Sequence, residues 1–287
     1  MASMVRICII GLSLAAVAGL PLGGWANTQG GATPETVSWE SEMRLPLSRQ
    51  GFDKLKAMGW FTKAKEREDL YLEIFDGGQF VLGARDYPVK ARFLVDAKKT
   101  RWQVSVVTGR TSLVSGDLTA GIKETRKARV IVDDVPSVTL ALKGVQSFID
   151  EARAGAVDRS KALALADQLS KVPVLADMAR DAQAPWPEGL VLPAGWAKKD
   201  RLEGVLDVAG QEVEVLLARD LRLDAVGQIV EEYEVEAELP GAWSPQAQAA
   251  FQEVLERFAA AGLDSDDVPV EDSRDFAFLE EVYKGIL

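Results

Sequence analysis

Between Glu231 and Leu239 the chain alternates without a break: Glu232, Glu234, Glu236 and Glu238 take one set of positions, and Tyr233, Val235, Ala237 and Leu239 the other. Side chains of a β-strand point in turn to its two faces, so the segment predicts a strand with four carboxylates on one face and an apolar stripe on the other. Carboxylates packed side by side repel one another and need something cationic opposite them. That can be water with counterions over a solvated face, Lys and Arg from other strands, or a bound metal.

The start of the chain repeats the device with a compensating charge. Glu40, Glu42 and Arg44 alternate with Trp39, Ser41, Met43 and Leu45 in a segment that begins near Val37. Other expected strands bring the opposite sign on alternate residues: Lys90 and Arg92 within Val89–Val95, Arg126 near Ala128–Val132, and Lys199 and Arg201 at the start of Arg201–Val208. Several strands with one charged and one apolar face do not suit a sandwich with an apolar centre. They suit a wide barrel whose interior is charged and whose apolar outside is partly covered by helices.

Helical spacing supplies such covers. Ser48 predicts an N-cap for a short helix through Met58, with Phe52, Leu55 and Met58 on one side. Apolar residues three and four apart mark Val145–Ala154 and Ala162–Val172, and Ala182–Pro193 reads as a proline-punctuated link. Ser244-Pro245 opens an amphipathic helix with Phe251, Val254, Leu255 and Phe258 on its core face, and a last helix is expected over Arg274–Tyr283. The remaining strand candidates are a hairpin of Asp69–Phe75 with Phe80–Leu82 about Asp76-Gly77-Gly78, then Trp102–Val107, Glu212–Leu221 and Gln228–Leu239. Asp264-Ser265-Asp266-Asp267 lacks the glycine and glutamate of a calcium loop and is expected to be a solvated linker.

Composition narrows the chemistry. Histidine is absent, which removes Ser-His-Asp and Cys-His catalysis and every His-ligated metal. No P-loop or Gly-x-Gly-x-x-Gly turn is present, so any reaction must run on carboxylates, Lys, Arg, Tyr, Ser or Thr, with a hard metal as helper. A net charge of −11 argues against nucleic acid and anionic lipid as partners. The apolar run Ile7–Leu22, preceded by Arg6 and followed by Gly24-Trp25-Ala26, has the tripartite form of a signal peptide over residues 1–26. Cleavage is expected after Ala26, which leaves no stable membrane anchor, then a flexible leader over 27–36 and a periplasmic or secreted protein. The single cysteine, Cys8, would leave with the signal, so no disulfide is expected.

In order and spacing these motifs resemble the CYTH, or triphosphate tunnel metalloenzyme, superfamily. Glu40-Ser41-Glu42-Met43-Arg44 is similar to its E-x-E-x-K signature, Lys90-Ala91-Arg92 to its first basic pair, Lys199 and Arg201 to its second, and Glu232-Tyr233-Glu234-Val235-Glu236 to its late acidic strand. The ending Asp272–Leu279 resembles its closing helix. The resemblance implies an α+β fold over 37–287, an antiparallel eight-stranded tunnel-like barrel with flanking helices and a helical insert at about 144–193. It also implies Glu40, Glu42 and Arg44 as catalytic residues, Lys90, Arg92, Arg126, Lys199 and Arg201 as phosphate ligands, and Mg²⁺ or Mn²⁺ on Glu40, Glu42, Glu234 and Glu236. The expected activity is hydrolysis of tri- or polyphosphate, or of another phosphorylated small molecule. Arg44 stands where the family has lysine, and Gln103–Val107 is neutral where a further lysine is expected. Both departures favour an alternative, a barrel that binds an anion, or serves only as a structural domain, without turnover. The barrel requires the charged positions to meet inside one cavity, with Tyr233, Val235 and Ala237 packed outward under the helix that carries Phe251–Phe258.

Overall fold

The alternating segments form long antiparallel strands. A computed structural model of the chain describes residues 32–34, 38–81, 89–94, 99–133, 136–170, 189–269 and 277–287, with side chains for 38–81, 109–125, 144–169, 189–269 and 277–287. The elements are, in order, β1 (Ala32–Pro34), β2 (Ser38–Leu47), α1 (Arg49–Lys56), β3 (Phe61–Asp76), β4 (Gln79–Phe80), β5 (Val89–Leu94), β6 (Lys99–Ser115), β7 (Leu118–Asp133), α2 (Pro136–Arg153), α3 (Arg159–Ser170), β8 (Leu190–Val208), β9 (Gln211–Leu223), β10 (Ile229–Pro240), α4 (Pro245–Ala260), a 3₁₀ turn (Ser265–Asp267) and α5 (Ala277–Ile286). The expected signal peptide lies outside the described residues. Part of the expected leader forms β1, paired with Val130–Val132 of β7.

Eight strands close on themselves. The order β7-β2-β10-β9-β8-β3-β5-β6 returns to β7, because β6 pairs with both β5 and β7. Every pairing is antiparallel, so the wall is the eight-stranded tunnel-like barrel with flanking helices that the resemblance implies, and it is the charged-interior barrel that the alternation suits. The β8–β9 turn is tight: Ala209 (φ 47°) and Gly210 (φ 72°) both take left-handed backbone, which only glycine adopts without strain. At Gly204 on β8 a Cβ would lie 2.1 Å from the carbonyl oxygen of Trp60, so glycine lets the irregular start of β3 close against β8.

Two apolar layers cover the outside of the barrel. In one, Phe251, Val254, Leu255 and Phe258 of α4 and Phe52 and Leu55 of α1 pack on Met43, Leu45, Val215, Leu217, Val235 and Ala237. In the other, Phe148 and Ile149 of α2, Leu165 and Leu169 of α3 and Leu279 and Tyr283 of α5 pack on Leu70, Leu72, Ile74 and Leu192. Val235 and Ala237 pack outward in the layer that α4 covers, and Tyr233 packs outward against Phe52 of α1 rather than under α4. The outward condition of the barrel reading is thus met with α1 as a second cover, and the carboxylates of β10 are left to the inner face.

Some elements differ from the sequence-based expectation. β8 starts at Leu190 and runs through Pro193, which reads in sequence as the end of a link. The strand tolerates this proline because its register with β3 slips between Tyr71 and Leu72, where a missing N–H breaks no regular ladder. The Pro193 carbonyl is used, accepting a 3.0 Å hydrogen bond from the Tyr283 hydroxyl. Trp102–Val107 and Ala128–Val132 are pieces of one long β6–β7 hairpin. The acidic tetrapeptide is no solvated linker: Asp267 is buried, receives Lys54 Nζ at 2.6 Å, and through its carbonyl accepts the Ser48 N–H at 2.7 Å, tying the start of α1 down. Ser48 Oγ in turn accepts the Gly51 N–H at 3.0 Å, as its predicted capping role requires.

Candidate active site in the barrel lumen

Adjacent strands fix which residues share the lumen. On β2, Glu40, Glu42 and Arg44 alternate with the outward Met43 and Leu45, and register places Arg44 opposite Glu236 and Glu42 opposite Glu238. On the other side of β10 lies β9, where Glu234 stands opposite Ala218 and Glu232 opposite Asp220. β8 comes next, with Lys199 opposite Asp220 and Arg201 opposite Ala218. β3 completes this arc, with Arg67 opposite Lys199. Ala218 is the smallest lumenal side chain between Arg201 and Glu234, and it leaves long side chains of β8 room to reach over β9 to β10.

They do reach. Lys199 Nζ lies 2.9 Å from Glu234 Oε1 and also pairs with Asp220. Arg201 Nη2 donates to Glu236 Oε2 at 2.7 Å. Arg44, from the opposite side of β10, pairs through Nη2 with the second oxygen of Glu234. Arg67 contributes a further pair with Asp69 at 3.2 Å, and Lys65 with Glu203 at 2.5 Å. Lys199, Arg201, Glu234 and Asp220 are between 4% and 7% exposed, so these are buried ions, which are tolerated only when paired.

The electrostatics divide the carboxylates into two kinds. Burial opposes the charge of Glu234, yet Arg44 and Lys199 outweigh it and hold its pKa well below the usual range. Lys199 loses proton affinity to burial and regains more from Glu234 and Asp220, so its pKa stands well above that of a free lysine. Glu236 goes the other way: burial, then the neighbouring charges of Glu234 and Glu42, raise its pKa. Burial, helped by Glu234, pushes Asp220 up to about 7 even against the pull of Lys199. Among the described residues, Arg67 Nε and Arg201 Nε meet no acceptor and Asp220 Oδ1 accepts no hydrogen bond, so this arc of the lumen keeps polar capacity on both signs.

A cavity of about 330 Å³ opens at one end of this cluster. Arg44, Glu234, Asp220 and Arg222 form its lumenal side, and Ser48 and Arg49 at the start of α1 its outer side. Arg222 is paired there with Glu232.

Of the residues singled out in sequence, Arg44, Glu234 and Lys199 form one chain of ion pairs and Arg201 and Glu236 a second pair, and the two groups influence each other through the like charges of Glu234 and Glu236. Glu40 and Glu42 lie on the same face of β2 as Arg44, Glu40 buried and Glu42 half-buried, opposite Thr125 and Lys123 of β7. For Lys90, Arg92 and Arg126 the structure gives backbone register alone: position 90 pairs with Tyr71, position 92 with Asp69, and position 126 with Trp39. Their side chains lie outside the described residues. Arg67, Asp69 and Asp220 are members of the network that the sequence reading does not single out. Their signal is present, since Arg67-x-Asp69 and Asp220-x-Arg222 repeat the period-two placement of charge found in β2 and β10.

The implied divalent ion can be tested against these donors. Among the described residues no group of three or more acidic side chains stands ready to hold a metal. Glu234 and Glu236 are turned to the chain's own cations. The donor chemistry nonetheless fits, since Glu42, Glu234 and Glu236 are hard oxygen ligands, and the charges of Glu234 and Glu42 that raise the pKa of Glu236 would be offset by a divalent cation.

No family model matches the chain, and no curated protein matches it. Similar solved structures include HpAC1 from Hippeastrum, described as having a dominant triphosphatase activity (15% identity over 87% of this chain and 97% of that one, TM-score 0.45). Others are the PH1819 protein of Pyrococcus horikoshii OT3 (11% identity, 84% and 99% covered, TM-score 0.43) and the Pct1 RNA triphosphatase of S. pombe (10% identity, 82% and 79% covered, TM-score 0.34). All three scores fall below 0.5, and the chain's own strand order and lumenal side chains carry its functional reading.

Proposed function

We propose that the chain is an exported tunnel-barrel phosphohydrolase that draws tri- or polyphosphate, or another phosphorylated small molecule, into its lumen and hydrolyses it with Mg²⁺ or Mn²⁺. The observation that carries this reading is the meeting of Arg44, Lys199 and Arg201 with Glu234 and Glu236 in one buried interior. Cations there would bind the phosphoryl oxygens and spread their charge, which is the main demand of phosphoryl transfer. Lys199 acts as a compact point charge, while Arg201 and Arg67 offer forked donors whose Nε meets no acceptor among the described residues. Ligand oxygens would then replace carboxylate oxygens as partners of Lys199 and Arg201. Glu40, Glu42, Glu234 and Glu236 would hold the metal, which supplies Lewis-acid polarisation of the phosphoryl group when bound. Water adds to phosphorus, the bridging P–O bond breaks, and the departing phosphate takes the proton. Export rests on the signal-like segment of residues 1–26.

The test is phosphate release from tripolyphosphate with Mg²⁺ or Mn²⁺. The expected result is release by the wild type that is lost in the Glu40→Gln/Glu42→Gln variant; no release above that variant overturns the enzymatic reading. A second reading is favoured by one observation, the guanidinium of Arg44 seated on Glu234 where a metal would bind. It makes the barrel an anion-binding protein without turnover, and saturable heat of tripolyphosphate binding in the absence of phosphate release would identify it.

A further inference from the structure

Arg44 stands at the boundary between the open cavity and the buried network. Its side chain is 25% exposed and lines the cavity, whereas its partner Glu234 is 5% exposed. Glu234 is the doubly held carboxylate, with Lys199 on one oxygen and Arg44 on the other, and Glu236 has Arg201 while it is repelled by Glu234 and Glu42. An incoming cation therefore meets two different carboxylates. Glu236 gains from any added positive charge, whereas a cation approaching Glu234 meets the like charge of the Arg44 guanidinium already on one of its oxygens.

We infer that Arg44 is a displaceable counter-ion that couples anion binding to metal binding: with no ligand it pairs with Oε2 of Glu234, and an anion in the cavity would draw it away and leave that carboxylate to a divalent cation. The inference rests on the metal-dependent reading of the lumen. Its physical basis is exchange of like for like. The guanidinium trades a carboxylate for a phosphoryl or sulfuryl oxygen pair of equal geometry, and Glu234 trades a guanidinium for a metal, so no buried charge is left unpaired at the end. Each ligand then tightens the other by the same factor, as linkage requires. The side chain's length and fork suit the exchange, because the guanidinium can face either the cavity or β10 from one backbone position.

The experiment measures Mn²⁺ affinity from the electron paramagnetic resonance signal of free Mn²⁺, using the full chain with and without sulfate, a weak chelator. Arg44→Gln is expected to bind Mn²⁺ more tightly than wild type, by about tenfold. Sulfate is expected to tighten Mn²⁺ binding by wild type and to leave the Arg44→Gln variant unchanged. Arg49→Gln removes an exposed positive charge from the outer side of the same cavity, and its Mn²⁺ affinity should match wild type. Equal Mn²⁺ affinity in wild type and Arg44→Gln, or equal tightening by both Arg variants, overturns the counter-ion role alone. Absence of Mn²⁺ binding by every protein overturns the metal-dependent reading together with it. Should Arg44→Gln fail to fold, the sulfate effect on wild-type Mn²⁺ binding decides: tightening supports the coupling and indifference overturns it.

Discussion

The two faces of β10 are built from neighbouring residues of one strand and obey different physics. Outward, Val235 and Ala237 are wholly buried under α4 and are stabilised by removal from water and by close packing. Inward, Glu234 and Glu236 are buried almost as deeply, yet each survives only because a cation from β2 or β8 reaches it. The outward face is additive and tolerant of like-for-like exchange. The inward face is a network in which removing one member strands another. Stability therefore sits outside the barrel wall, and the capacity to exchange partners sits within it.

The largest effect expected from breaking this contrast is on the outer face. Phe251→Ala empties a fully buried site in the α4 layer and should cost about 3–5 kcal/mol in chemical denaturation. The remaining folded protein should keep its anion affinity, since the lumen is untouched. A comparable loss of affinity would show that the two faces are not separable.

Next comes Lys199→Met, which keeps the volume and removes the ammonium shared by Glu234 and Asp220. Breaking a buried pair from one side costs about 3 kcal/mol at the low end, and the low end is expected because Asp220 can take up a proton. Here stability and tripolyphosphate binding should fall together. A variant as stable as wild type, with binding intact, would mean that Lys199 is not the centre of the network.

A smaller effect concerns pH. The folded pKa of Asp220, about 7, lies above the unfolded value of about 3.9. The folded state thus holds this proton more tightly, so the contribution of Asp220 to stability is fully present below the unfolded value and is lost as pH rises through the folded one. Relative to Asp220→Asn, the wild type should lose stability between pH 5 and pH 8, read as a falling difference in Tm. A difference that rises over that range would contradict the assignment.

The same contrast explains how much of the molecule is legible in its sequence. The period-two alternation of β2 and β10 makes the division of faces visible, because one face must be charged and the other apolar wherever such a strand closes a charged barrel. The N-cap at Ser48 and the stripe of α4 are local signals and are equally legible. What the sequence hides is non-local. Asp220 and Arg67 matter through the strands that flank them, Arg201 reaches β10 past the small Ala218 that stands opposite it on β9, and Pro193 lies within a strand where β3 and β8 slip in register. Asp267 looks solvated in a run of four polar residues and is buried because Lys54 and Ser48, more than two hundred residues away, converge on it.

The central claim, that the lumenal cations receive a phosphorylated anion, is tested most directly by a crystal structure of the protein with tripolyphosphate and Mn²⁺. The account predicts phosphoryl density inside the barrel in contact with Lys199 and Arg201, Arg44 turned from Glu234 toward the anion, and Mn²⁺ on Glu234 and Glu236. Density confined to the outer surface, with the Lys199–Glu234 and Arg201–Glu236 pairs unchanged at saturating ligand, would contradict it.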